Sequence, residues 1–264
     1  MLSNETAYGE LQKRSPADYL LYLMHLKTYE FALPYCEGRR VLDVGCGPGY
    51  GVCRLAPHCK EVIGIDIDPD AIKHAKENFT LENTDYRVVK PAEVESLPFA
   101  SHSFDTVISF QVIEHVFDLS AYLSEIHRLL KPGGTFLCAT PDRTTRLYPF
   151  QKPWNYEHVT EFSEANFESA LRQKFDEFEI FKMSGAPDVI RIEIERTQKL
   201  RRLLLPATLP IIPDLFRVWI LKMAQSLKKN ESPPVNVEPG FDLSDIHIAK
   251  EATPSLNFIS VARV

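Results

Sequence analysis

The chain has 264 residues, 44% of them hydrophobic and 25% charged, with a formal net charge of −6. These are globular proportions with enough apolar residues for a full core. The acidic balance and the lack of any RNA- or DNA-binding motif argue against a nucleic-acid partner, and no apolar run reaches the roughly 18 residues that a membrane span needs.

The first strongly structured segment in chain order is a helix expected over 16–33, carrying Tyr19, Tyr22 and Tyr29 at a spacing that suits amphipathic packing or closure over a ligand. A short buried strand follows over 41–45, where Val41, Leu42 and Val44 surround Asp43. The run VLDVGCGPGYG then sets glycines at 45, 47, 49 and 51. Such a turn lets backbone approach a ligand where a Cβ would clash, and the helix expected over 50–57 offers it free N–H groups. A dinucleotide fingerprint wants glycines at relative positions 1, 3 and 6, but the sixth position from Gly45 is Tyr50. Asp43 would also face phosphate charge. S-adenosylmethionine (SAM) has no phosphate and carries a cationic sulfonium and ammonium, so this acid suits SAM and opposes a nicotinamide dinucleotide.

The strand expected over 61–66 ends in Asp66, located 21 residues after Gly45 and placed to bind both ribose hydroxyls. Asp68 stands before Pro69, a pattern that predicts a cap for a helix over 69–79. Further strands are expected near 86–90, 104–110, 134–140, 176–183 and 256–263, and helices near 119–130 and 163–174, the latter opened by the SEAN run at 163–166. Such alternation calls for an α/β fold: a mostly parallel sheet covered on both faces, with ligands outside the carboxyl ends of its strands.

Residues 184–255 are too long for a hairpin loop and are read as an insertion or lid before the last strand. Within 196–229 stand eight basic residues against one acid, a local charge of +7 that leaves −13 on the remainder. The segment is also rich in Leu, Ile, Phe and Trp, while Pro206, Pro210 and Pro213 exclude one long helix. Two readings stay open: a lid packed on the core or on a second subunit, or a segment lying on a membrane surface.

Five cysteines (Cys36, Cys46, Cys53, Cys59 and Cys138) form no C-x-x-C pair, and an odd count with Cys46 inside the glycine turn points to reduced thiols. The first ten residues lack a basic region followed by an apolar core. The expectation is a cytoplasmic protein, peripheral at the inner membrane if 196–229 meets lipid.

From these motifs the chain resembles the class I SAM-dependent methyltransferases over roughly residues 20–183. D-x-G-x-G-x-G is matched by Asp43, Gly45, Gly47 and Gly49, and the acid after the second strand by Asp66. KPAEVESLPFASHSFDTVIS (90–109), FQVIEHV (110–116) and LKPGG (130–134) match the segments that lead into the fourth strand and bracket the helix after it. A narrower likeness rests on MHLKTYEFAL (24–33), EHV (114–116), TPDR (140–143) and HVTEFS (158–163). These resemble a bacterial subgroup associated with glycan and cell-envelope biosynthesis and similar to quinone O-methyltransferases. The chain departs from it at Asp142, where Asn is usual, and at Gln111, where an acid is common.

The resemblance implies a Rossmann-like, doubly wound sheet of seven strands with an antiparallel last strand. It implies one domain over 1–264, with an N-terminal helical cap at 1–36 and the insertion at 184–255. The implied SAM site comprises Asp43, Gly45, Cys46, Gly47, Gly49, Tyr50, Asp66, Ile67, Glu93, Val94 and Gln111, with Glu93 and the Val94 N–H on the adenine. The implied reaction is direct methyl displacement onto oxygen of a saccharide or small envelope-related metabolite. A quinone or other lipid-soluble aromatic acceptor and a non-catalytic SAM-binding protein are the alternatives. If the acceptor is a hydroxyl, His115, His158 and Asp142 are the candidate bases, with Trp154 and Tyr156 shaping the acceptor pocket. No metal-ligand spacing is evident in the sequence, and none is expected.

Overall fold

Among the described residues eight strands join in one sheet, in the spatial order third, second, first, fourth, fifth, eighth, sixth, seventh along the chain. The computed structural model describes residues 15–89, 97–228 and 240–264, with backbone alone over 225–228. Its first helix, α1 (Pro16–Cys36), is opened by Ser15, whose hydroxyl accepts from the Asp18 N–H at 3.1 Å. Strands β1 (Arg40–Val44), β2 (Glu61–Asp66), β3 (Thr84–Val88), β4 (Phe104–Phe110) and β5 (Leu130–Pro141) pair in parallel. Helices α2 (Tyr50–Leu55), α3 (Pro69–Asn78) and α4 (Leu119–Leu129) connect them. Asp68 caps α3, its carboxylate accepting from the Asp70 N–H at 2.9 Å, as the Asp-Pro pair predicts.

The alternation of strand side chains builds a core on each face of the sheet. Val41, Ile108 and Leu137 pack with Leu20, Tyr29, Val52 and Ile72 on one side. Leu42, Val44, Val107 and Phe136 pack with Leu123, Ile126, Phe167 and Leu171 on the other. Asp43 has the same parity as Val41 and so points toward α1. After β5 come the short helix α5 (Arg143–Arg146) and α6 (Glu164–Leu171), the latter capped by Ser163.

One correction concerns the last third of the chain. Among the described residues the sheet has eight strands, not seven. The extra one, β7 (Ile246–Ala249), lies inside the segment read as an insertion and pairs antiparallel with the end of β6 (Glu177–Gly185), Gly185 opposite Ile246 and Lys182 opposite Ala249. Four residues are too few to show a strand period in sequence. The antiparallel final strand β8 (Asn257–Arg263) was expected, and it runs between β5 and β6. The rest of the insertion is largely helical among its described residues. α7 (Pro187–Leu203) and α8 (Asp214–Lys228) are separated where Pro206, Pro210 and Pro213 stand, and Val189 enters the α1-side core. No helix among the described residues is long and apolar enough to cross a membrane.

Helix α1 approaches α2 so closely that a Cβ on Gly51 would lie 2.0 Å from the Tyr29 ring. Gly51→Ala should therefore push Tyr29 aside and lower the unfolding free energy by about 1–3 kcal/mol. Urea denaturation checks this; a variant as stable as wild type would show that the contact yields without cost.

Candidate functional site

Order 2-1-4 in the sheet puts the switch of winding direction between β1 and β4, and the loops leaving these two strands meet there. The glycine turn leaves β1 with the Gly45 and Cys46 N–H groups both donating to the Ile65 carbonyl, at 2.8 and 3.0 Å. Gly45 and Gly49 have φ of +79° and +94°, and a Cβ on Gly45 would sit 2.3 Å from Val112 in the β4 loop. Only glycine combines that backbone with that approach. Gly47 also has positive φ, +54°, but a Cβ there would meet nothing within 4 Å, so the turn is open on that side. The Cys46 side chain turns under the loop into the core beside Gly64, leaving its backbone to face the turn.

Beneath the turn Asp43 is fully buried. Its Oδ2 accepts from the Tyr29 hydroxyl at 2.8 Å, while Oδ1 has no hydrogen-bond partner among the described residues. Burial drives its carboxyl up to about 7; the Tyr29 bond opposes that rise and the Asp66 charge adds to it. Asp66, at the end of β2, accepts from the Gly47 N–H through Oδ2 at 2.8 Å and from the Asp68 N–H through Oδ1 at 2.9 Å. These bonds fix the carboxylate beside the turn while each oxygen keeps a lone pair. Ile67 stands next to it, mostly exposed. The Tyr50 ring sits 5.8 Å from both Tyr22 and Tyr29. Glu93 and Val94 lie outside the described residues.

The second cluster follows β4. Gln111 has φ +59° and its N–H donates to the Ala139 carbonyl at 2.8 Å. A left-handed non-glycine residue at a strand end is held there by its surroundings. Glu114 is buried; Oε2 accepts from the Thr140 hydroxyl at 3.0 Å, and Oε1 has no hydrogen-bond partner among the described residues. Burial raises its carboxyl to about 7 against the opposing charge of His158. The loop after α5 folds back so that the Val159 and Thr160 N–H groups donate to the Glu114 carbonyl, and the His115 and His158 rings meet edge to face at 4.7 Å.

Each histidine is oriented through Nδ1. His115 Nδ1 lies 3.1 Å from the Glu157 carbonyl, which can only accept, so Nδ1 carries the proton and Nε2 keeps its lone pair. Burial, then the neighbouring His158, lowers the His115 pKa. His158 Nδ1 lies 3.0 Å from Glu161 Oε1. Glu161 is wholly buried and paired to buried Arg146 at 3.0 and 3.2 Å. Burial alone would raise its carboxyl, yet Arg146 and the His158 bond hold it down to about 2. An ionised Glu161 can only accept, so His158 Nδ1 carries a proton toward it, and Nε2 is the acceptor nitrogen whenever the ring is neutral. The Arg146 guanidinium in turn lies 4.4 Å from the centre of the Trp154 ring.

The fold thus brings together two of the three candidate bases. Asp142 is not one of them: it caps α5, its Oδ1 accepting from the Thr144 N–H and hydroxyl at 2.8 and 2.6 Å. Trp154 lies under Arg146 rather than on open surface, and Tyr156 faces Lys222 at 5.4 Å. Glu114, Glu161 and Arg146 were missed as functional residues. Glu161 alone left a local signal, an acid three residues past His158. The histidines also form, with Glu114, a group whose potential ligand atoms lie within 4.8 Å of one another, a donor set suited to a divalent transition metal that no spacing in the sequence announced.

A family model described as a methyltransferase domain matches residues 42–138, from β1 to β5. Residues 42–138 are thus similar to that domain. A probable S-adenosylmethionine-dependent methyltransferase of Mycolicibacterium smegmatis is 35% identical over 147 residues, which cover 56% of this chain and 55% of that protein. A ubiquinone biosynthesis O-methyltransferase of Cereibacter sphaeroides is 40% identical over 118 residues, covering 44% and 46%. The chain therefore spans about half the length of the curated relatives it matches. Among solved structures, a Thermotoga maritima protein described as a SAM-dependent methyltransferase, possible histamine N-methyltransferase, superposes with TM-score 0.56 at 15% identity over 90% of this chain and 88% of that one. The [4+2]-cyclase SpnF reaches TM-score 0.56 at 18% identity over 90% and 79%. Likeness at that identity concerns the fold alone.

Removing one member of a buried ion pair leaves the other uncompensated, so Glu161→Ala should lower stability by about 3 kcal/mol at neutral pH. Because the Glu161 pKa is depressed in the folded state, its contribution is complete above the unfolded value near 4.5 and is lost as pH falls toward about 2. Denaturation curves of wild type and variant should therefore converge over that interval; a difference independent of pH would show that the pair does not supply it.

Proposed function

We propose that this protein is a SAM-dependent methyltransferase acting on a hydroxyl oxygen of a small molecule, a saccharide or envelope-related metabolite in the first instance. The observation that carries the reading is Asp43: a buried carboxylate oxygen without a partner, below a glycine turn that is open at Gly47. A phosphate there would meet negative charge; a cationic donor would complete the site. SAM, when bound, supplies a sulfonium-bound methyl group that an oxygen nucleophile displaces, leaving S-adenosylhomocysteine.

The chain's own residues divide the remaining work. Gly45, Gly47, Gly49 and the backbone at Cys46 and Tyr50 shape the turn around the donor. Asp66, already fixed by the Gly47 and Asp68 N–H groups, accepts from the ribose hydroxyls, and exposed Ile67 offers an apolar face to the adenine. Glu93 and Val94 take the adenine edge in this reading, and Gln111 borders the donor where the β1 and β4 loops meet. His158 receives the acceptor's proton at Nε2. It is positioned by Glu161 and Arg146, and His115 stands against its ring. Burial of His158, Glu161 and Arg146 holds these three away from competing water.

A second reading is a lipid-soluble aromatic acceptor. It is favoured by the Cereibacter sphaeroides relative named a ubiquinone biosynthesis O-methyltransferase and by the exposed apolar residues of α8.

Calorimetric titration with SAM and assay of S-adenosylhomocysteine formation test the proposal together, using hydroxylated saccharides and catechol-type quinol precursors as acceptors. Asp66→Ala should bind SAM roughly tenfold to hundredfold more weakly, the value of about 1.5–3 kcal/mol for charge-assisted bonds. His158→Ala should keep SAM affinity and lose roughly 10²–10⁴-fold in rate. Undiminished SAM binding by Asp66→Ala would remove it from the site, and equal affinity of wild type for NADH would overturn the proposal.

A further inference from the structure

We propose that the outward face of α8 docks on the surface of an anionic lipid bilayer. At 100° per residue, Leu215, Phe216, Trp219 and Ile220 fall within one sector of about 140°. All four are exposed, at 86%, 62%, 61% and 36% of their surface. Leu221 and Arg217 occupy the opposite sector and are buried; Arg217 donates to the Pro153 carbonyl at 2.8 Å and to Asp214 at 3.1 Å, and Lys152 also bonds Asp214. The helix is thus fastened to the body by its inner face, and the apolar sector is held outward. Four large apolar side chains displayed on one face are far more than scattered surface apolars account for.

The charge of the segment decides what covers them. Lys222 falls about 20° from Leu215 on the helix wheel, at the edge of the apolar sector, and it is exposed, as are Lys199 and Arg202 at the end of α7. Residues 196–229 carry +7 in a protein whose remaining residues carry −13. A two-fold dimer through this face would set like-charged segments against each other. An anionic bilayer complements both features: aromatic and aliphatic side chains enter the headgroup boundary while the cations meet lipid phosphates. Ile211 and Leu203, 81% and 60% exposed in the segment before α8, are further apolar side chains near the same surface in sequence.

The test is co-sedimentation of the full chain with vesicles of phosphatidylcholine alone and of an equimolar mixture with phosphatidylglycerol, with analytical ultracentrifugation of the lipid-free protein in parallel. The wild type should bind the mixed vesicles, bind phosphatidylcholine at least tenfold more weakly, and lose binding as salt is raised. Leu215→Ser with Phe216→Ser should reduce vesicle affinity about a hundredfold, and Lys222→Glu roughly tenfold, with thermal unfolding unchanged because these side chains are exposed. Quenching of tryptophan emission by brominated lipid should be lost in Trp219→Phe, reporting insertion of that side chain directly. Equal binding to neutral and anionic vesicles, or no binding to either, would overturn the proposal. So would a dimer that the Leu215 and Phe216 substitutions dissociate, which would show that a second copy covers the face.

Discussion

The hydrogen bond from Tyr29 to the buried Asp43 carboxylate is the contact on which the site depends. It joins α1 to the end of β1, at the one position of that strand where an acid replaces an apolar residue. Burying a carboxylate with one bond costs free energy that the fold recovers only in part, as the rise of its pKa to about 7 records. In the proposed reading the second oxygen provides a reserve of electrostatic attraction for a cation beside the glycine turn. The aromatic shell of Tyr22, Tyr29, Tyr50 and Phe110 excludes water from the same corner and keeps that attraction strong.

What could be read from the sequence was what is local along the chain. Asp43 with its glycines, Asp66 at the end of β2 and Asp68 before Pro69 each carry their meaning within a few residues, and the matching geometry follows from backbone chemistry. The sheet was legible for the same reason as far as β6, since β1, β2, β4 and β5 carry apolar runs and β6 opens on alternating polar and apolar residues. What escaped was set by distant contact. Tyr29 reads as a lid residue but is the partner of an acid 14 positions away. Glu114 and Glu161 look like surface acids until the loop after α5 folds back and buries both. β7 has no period to display, and the fate of 196–229 depends on which helix face meets the body.

In the proposed reading the two halves of the site are built differently. On the donor side, backbone N–H groups lie on a turn fixed by the sheet, with the carboxylates of Asp43 in β1 and Asp66 at the end of β2 beside it. On the acceptor side, His115, His158, Glu161 and Arg146 belong to loops held by one another, with Trp154 bridging toward Arg196 of α7. The insertion that carries the basic, apolar helix also packs behind these loops, through Arg217 on the Pro153 carbonyl and Gln151 on Thr208.

The central claim, that Asp43 awaits a cation, is tested most directly by proton linkage. SAM binding is measured by calorimetry near pH 6 in buffers of different ionisation heat, for wild type and for Asp43→Asn. If the acid is protonated in the free protein and ionised beside a bound sulfonium, the wild type releases protons on binding and its apparent enthalpy follows the buffer, while the variant's does not. A wild-type enthalpy indifferent to buffer, or a release that persists undiminished in Asp43→Asn, would contradict it.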